Sequence, residues 1–131
     1  MGHPMADTAK ATLLVVDDEL LVRMDLSRQL ELAGYLTYEA GSAADAIALL
    51  EKHPEIRVVF TDIQMPGTMD GLALSHYIRK RWPPTILVIC SGNRTPHPSE
   101  MPSETDFITK PVSGKMFDRV LRNVESKLGA V

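Results

Sequence analysis

Hydrophobic and polar positions along the chain fall into two alternating kinds of segment. Three short runs are almost wholly apolar: Thr12-Leu13-Leu14-Val15-Val16, Arg57-Val58-Val59-Phe60-Thr61 and Thr85-Ile86-Leu87-Val88-Ile89-Cys90. They are rich in β-branched residues and lack polar alternation, the pattern of strands buried on both faces of a parallel sheet. Two weaker runs, Leu36-Thr37-Tyr38-Glu39 and Asp106-Phe107-Ile108-Thr109, read as edge strands. Between the strands the apolar residues change to helical spacing. Val22, Leu26, Leu30 and Ala33 mark a first helix, with Gly34 as its stop. Ser42 can cap a second, whose apolar face carries Ala43, Ile47 and Leu50 and which should end near His53, before Pro54. Leu74 and Ile78 mark a third, ended by Trp82-Pro83-Pro84. Phe117, Leu121, Val124 and Leu128 mark the last, with Ser113 as its expected N-cap.

Alternation of strand and helix predicts an α/β fold with helices on both faces of a parallel sheet. Five strands in 131 residues fit the flavodoxin-like, doubly wound order 2-1-3-4-5. Right-handed crossovers then put the two weaker strands at the edges. The expected domain runs over residues 11–129, and residues 1–10 read as a disordered leader or a remnant of expression.

Composition narrows the class. Hydrophobic residues make up 44% and charged residues 24%, ordinary for a soluble globular protein. The formal net charge of −3 argues against a nucleic-acid-binding surface, and no apolar run approaches the ~20 residues of a membrane-spanning helix. The single cysteine, Cys90, lies inside an apolar strand run, so an inert core thiol is expected and the compartment is expected to be a reducing cytoplasm. His3, His53, His76 and His97 are scattered without ligand spacing and suggest no zinc site.

Ligands bind such sheets at the carboxyl ends of the strands. There the chain places Asp17-Asp18-Glu19 after the first strand, Asp62 after the third, Ser91-Gly92 after the fourth and Lys110-Pro111 after the fifth. In the order 2-1-3-4-5 these strands are neighbours, so carboxylates, a hydroxyl and an ammonium converge on one rim. Carboxylates brought together repel one another and call for a cation, and oxygen donors suit Mg²⁺. A nucleophilic aspartate, a metal and a lysine make a coherent set for phosphoryl transfer. Singly, each residue has a plainer reading: Asp17 and Asp18 as helix caps, Asp62 as a turn residue, Lys110 as a solvated lysine, Ser91 as a loop hydroxyl. None of these readings explains four strand ends at once.

Asp17-Asp18, Asp62-Ile63-Gln64-Met65-Pro66-Gly67 with Asp70-Gly71, Ser91-Gly92 and Lys110-Pro111, in that order, resemble the full motif set of response-regulator receiver domains of two-component signalling. The resemblance runs from about Thr12 to Leu128. It implies that Asp62 accepts a phosphoryl group, that Asp18 binds Mg²⁺ directly and Asp17 supports it, and that the Gln64 backbone carbonyl is a further metal ligand. Lys110 would contact Asp62 at rest and a phosphoryl oxygen after transfer. Ser91 and Phe107 would form the switch, and the Lys110–Pro111 peptide would be cis. Implied partners are a sensor histidine kinase or histidine phosphotransfer protein as donor and an unidentified downstream protein as target, with no nucleic acid and no membrane. A stand-alone receiver is the first expectation; a receiver excised from a hybrid histidine kinase or larger response regulator is the alternative. An aspartate-nucleophile phosphatase would need a second aspartate where Gln64 stands, and a degenerate receiver would have no need of Asp18, Asp62, Ser91 and Lys110 together.

The sequence departs from the family most between Asn93 and Thr105, where receivers carry their fourth helix. Pro96, Pro98 and Pro102 remove amide donors and disfavour helical geometry, and Met101 is the only large apolar residue available to anchor the segment. A short or missing fourth helix is expected, with at most one or two turns and the remainder irregular and mobile.

Overall fold

The computed structural model describes residues 9–129. Residues 1–8 of the expected leader lie outside them. Five parallel strands, β1 (Thr12–Val16), β2 (Leu36–Ala40), β3 (Ile56–Asp62), β4 (Ile86–Ser91) and β5 (Thr105–Thr109), form one sheet in the order β2-β1-β3-β4-β5. This is the flavodoxin-like order expected from the alternation of patterns, with both weak strands at the edges. Helices α1 (Leu20–Leu32), α2 (Ala43–Lys52), α3 (Gly71–Arg81) and α4 (Gly114–Gly129) connect or follow the strands.

Side chains alternate across a strand, so each strand feeds two cores. Leu13, Val15, Val58, Phe60, Val88 and Cys90 pack with Leu26 and Leu30 of α1 and with Phe117, Val120, Leu121 and Val124 of α4. Leu14, Val16, Val59 and Leu87 pack on the other face with Ala43, Ala46 and Leu50 of α2 and with Leu74 and Ile78 of α3. The sheet is covered on both sides, which is why its central strands read as unbroken apolar runs.

Helix ends follow the sequence signals. Ser42 accepts from the Asp45 amide as N-cap of α2. Gly34, at φ +105, closes α1: its amide bonds the Glu31 carbonyl while the Tyr35 amide reaches Leu30. Two details differ from the pattern-based reading. Ala46, not Ile47, is the central buried residue of α2, and Val22 of α1 remains 37% exposed. Helix α1 carries apolar residues on more than one face (Leu20, Leu21 and Met24 are also exposed), so its spacing alone does not say which stripe is buried.

Between β4 and β5 the only regular element is a three-residue 3-10 turn, Pro98–Glu100, in place of a helix. Met101 anchors this segment, packing with Phe107 against Ile63, Leu72 and Ile89.

Candidate functional site

Strand register places the site. Val16, the last residue of β1, lies opposite Thr61, so Asp17 comes level with Asp62 at the end of β3. Ser91, the last residue of β4, lies opposite Thr109, so Lys110 follows immediately beyond it. Period-two alternation puts Asp17 in phase with Val15, Asp62 with Phe60 and Lys110 with Ile108, all residues of the α1–α4 core. Three ionisable side chains therefore point the same way at the end of three strands. Ser91 is in the opposite phase, with Ile89.

The resulting contacts are short. Lys110 Nζ lies 2.7 Å from Asp17 Oδ2 and 3.3 Å from Asp62 Oδ2. The lysine thus sits between the two carboxylates, hydrogen-bonded to Asp17 and close to Asp62. Asp17 Oδ1 accepts the Glu19 amide at 2.9 Å, so both of its carboxylate oxygens are engaged. Arg23 clamps the same turn: its guanidinium donates to the Asp17 carbonyl and pairs with Glu39 of β2. Asp17 is a turn-forming acceptor as well as part of the cluster, but α1 itself begins after Glu19, which makes no side-chain cap.

Asp17, Asp18 and Asp62 each offer a carboxylate oxygen, and these atoms lie within 4.8 Å of one another. Asp17 and Asp62 are buried and Asp18 is exposed. Burial raises the Asp62 carboxyl above the usual aspartate range, and the neighbouring Asp17 charge raises it further, while Lys110 opposes both. For Lys110, burial alone would lower the ammonium pKa; the Asp17 hydrogen bond and the two carboxylate charges overcome that and raise it. One lysine faces three acids, so the cluster retains negative charge. Three hard oxygen donors at this spacing fit a divalent cation. Asp18, Glu19, Asp62, Gln64, Gly92, Asn93 and Lys110 surround an open cavity of about 440 Å³ over the cluster. The Asn93 and Gln64 amides face each other across it at 3.5 Å.

The other residues singled out in the sequence take the following places. Ser91 is buried, its Oγ accepts the Arg94 amide at 3.2 Å, and it does not line that cavity. Phe107 is half-buried on β5, opposite Ile89. The Lys110–Pro111 peptide is cis. Cys90 is buried, and burial pushes its thiol up to about 12, consistent with an inert core residue. Asp70 caps α3 by accepting the Ala73 amide. Gly71 is needed for close approach: a Cβ there would stand 1.7 Å from the Asp62 carbonyl oxygen. Sequence reasoning named the Asp70-Gly71 pair but not this reason for it. It missed Arg23, whose guanidinium bonds the Asp17 carbonyl, and Arg94, whose amide bonds Ser91 Oγ, because contacts that involve a backbone atom leave no side-chain pattern.

Residues 13–122 match the family model of the response regulator receiver domain. The chain belongs to that family. This receiver domain is 32% identical over 124 residues to the sensor kinase CckA of Brucella abortus, a match covering 92% of this chain and 13% of that protein. It is 35% identical over 112 residues to the transcriptional regulatory protein ResD of Bacillus subtilis, covering 83% of this chain and 45% of that one. The receiver domain thus spans less than half the length of these curated relatives. Among solved structures, a response regulator receiver protein from Sinorhizobium medicae matches with a TM-score of 0.80 at 27% identity, over 92% of this chain and 95% of that one. The receiver domain of NtrX from Brucella abortus matches with a TM-score of 0.73 at 32% identity, over 91% and 99% of the two chains. Among the described residues no helix is long and apolar enough to cross a membrane.

Proposed function

We propose that this receiver domain accepts a phosphoryl group on Asp62 from a phosphohistidine donor, with Mg²⁺ held at the acidic cluster, and thereby switches a protein-interaction surface. The observation that carries this reading is the contact set at the strand ends: three carboxylates within 4.8 Å of one another, with Lys110 Nζ within 3.3 Å of two of them.

Each residue has a defined task. An oxygen of the Asp62 carboxylate attacks phosphorus, the phosphorus–nitrogen bond of the donor breaks, and its electron pair leaves with the imidazole. Asp18, Asp62 and the Gln64 backbone carbonyl would hold Mg²⁺, with Asp17, whose oxygens already serve Glu19 and Lys110, in support. When bound, the ion would supply electrostatic stabilisation of the charge on the transferring oxygens. Lys110 is placed to follow that charge from the carboxylate to a phosphoryl oxygen. The Ser91 hydroxyl turns towards another phosphoryl oxygen, and Phe107, which lacks a hydroxyl, takes part through packing alone. The donor is a sensor histidine kinase or a histidine phosphotransfer protein, and the output is a protein contact in the cytoplasm. The chemistry is confined to gain and loss of the phosphoryl group on the domain itself.

Incubation with Mg²⁺ and acetyl phosphate, followed by intact-mass measurement, tests the reading. One phosphoryl adduct is expected on the native chain and none on Asp62→Asn; an equal adduct on both would refute Asp62 as acceptor.

A further inference from the structure

The proline-rich segment after β4 is held by a chain of contacts that begins at Ser91. The Arg94 amide donates to Ser91 Oγ at 3.2 Å. The Arg94 guanidinium pairs with the Glu100 carboxylate. The other oxygen of that carboxylate accepts the His97 amide at 2.8 Å, closing a reciprocal cap on the 3-10 turn. The Glu100 backbone carbonyl in turn meets His76 Nε2 of α3 at 2.7 Å. The next residue, Met101, packs with Phe107 against Ile63, Leu72 and Ile89. Glu100 is therefore the point where a loop, a helix and the hydroxyl-bearing strand end are tied together. The His97 hydrogen bond, helped by the Arg94 charge, holds its carboxyl below the usual range, so it is ionised when it makes these contacts.

We infer that Arg94 and Glu100 form a latch that positions Ser91 at rest and opens when the Ser91 hydroxyl is drawn to a phosphoryl group on Asp62. The inference rests on the proposed function. The Ser91 side chain is in the opposite phase from Asp62 and is held there by the Arg94 amide, so drawing its hydroxyl to a phosphoryl group on Asp62 means turning it from that position. Such a step carries the oxygen away from the Arg94 amide. Without that bond the turn from Arg94 to Glu100 loses its polar tie to the end of β4, and only Met101 and the His76 contact with α3 still hold the loop. Where most receivers shift a formed helix, this chain would reorder a latched loop. Arg94 and Glu100 touch no reacting atom; they act through Ser91.

Linkage makes the latch measurable, since whatever opening costs is taken from phosphoryl affinity. Beryllofluoride with Mg²⁺ serves as the phosphoryl mimic, titrated into the full chain. Glu100→Gln, which keeps the size but loses the charge, is expected to bind it more tightly, by up to about fivefold as befits an exposed ion pair. Arg94→Ala should do the same, Arg94→Lys should fall back towards the native value, and Glu104→Gln, an acid in the same segment outside the latch, should leave it unchanged. In the native chain beryllofluoride should also speed hydrogen exchange at the Arg94 amide. Equal affinities for the native chain and Glu100→Gln, with unaltered exchange at Arg94, would overturn the latch. Failure of the native chain to bind the mimic at all would instead sink the proposed function on which it rests.

Discussion

Gly71 rests directly on Asp62. Its amide donates to the Ile63 carbonyl at 2.8 Å, and a Cβ on Gly71 would come within 1.7 Å of the Asp62 carbonyl oxygen. The first turn of α3 is thereby packed against the backbone of the proposed acceptor. No flexible side chain lies between them to absorb an added methyl group.

Gly71→Ala is therefore expected to destabilise the domain by ~1–3 kcal/mol or more, because two backbones must separate. It should also lower the yield of phosphorylation by displacing Asp62. Gly129→Ala on α4, where a Cβ meets nothing within 4 Å, is the control and should be neutral or slightly stabilising. Thermal melts of the two variants decide the matter, and equal melting temperatures would show that the close approach does not constrain the site.

The acidic cluster predicts a second behaviour. Burial and the Asp17 charge oppose ionisation of Asp62, and Lys110 still has Asp17 as partner when the Asp62 charge is removed. Asp62→Asn should then be more stable than the native chain in the absence of divalent cations, by ~1 kcal/mol or about 4 °C in melting temperature. Saturating Mg²⁺ should narrow the gap, because the ion stabilises the native cluster more than the variant. A variant that melts lower than the native chain without Mg²⁺ would contradict a repulsive pocket.

Far from the site, Tyr35 is buried and its hydroxyl donates to Glu125 of α4 at 3.2 Å, while Lys10 pairs with the same carboxylate. Burial first, and the Glu125 charge second, raise the phenol above the usual tyrosine range. A raised folded-state value means that this contribution to stability is complete below the unfolded pKa near 10 and is lost as pH rises above it. Alkaline titration of phenolate absorbance should show a late component that disappears in Tyr35→Phe. A titration in which Tyr35→Phe removes an early component would be inconsistent with the Tyr35–Glu125 contact.

These residues also show what the sequence could and could not reveal. The unbroken apolar runs of β1, β3 and β4 identified the buried strands because both faces of the sheet are covered. Once the strand order was set, the ends of those strands and of the weaker β5 necessarily brought Asp17, Asp62, Ser91 and Lys110 to one rim. Register could not be read in advance, and it is register that puts Lys110 between Asp17 and Asp62, nearer the former. The helices were legible where one stripe is apolar, as in α4, and less so in α1, where Leu20, Leu21 and Met24 are apolar and exposed. The prolines correctly signalled the loss of a helix before β5. They carried no sign that Arg94 and Glu100 would meet, because an irregular loop has no period from which a contact can be inferred.

The central claim is that the Asp62 carboxylate, and no other group, receives the phosphoryl group. An acyl phosphate is reduced by borohydride to an alcohol, whereas phosphoserine and phosphohistidine are not, so reduction marks the acceptor chemically. After treatment with Mg²⁺ and acetyl phosphate, borohydride reduction and proteolysis, peptide mass spectrometry should find homoserine at position 62 and unmodified aspartate at positions 17, 18 and 70. Homoserine at one of those other positions, or aspartate retained at 62 in a chain that carries the adduct, would contradict the account.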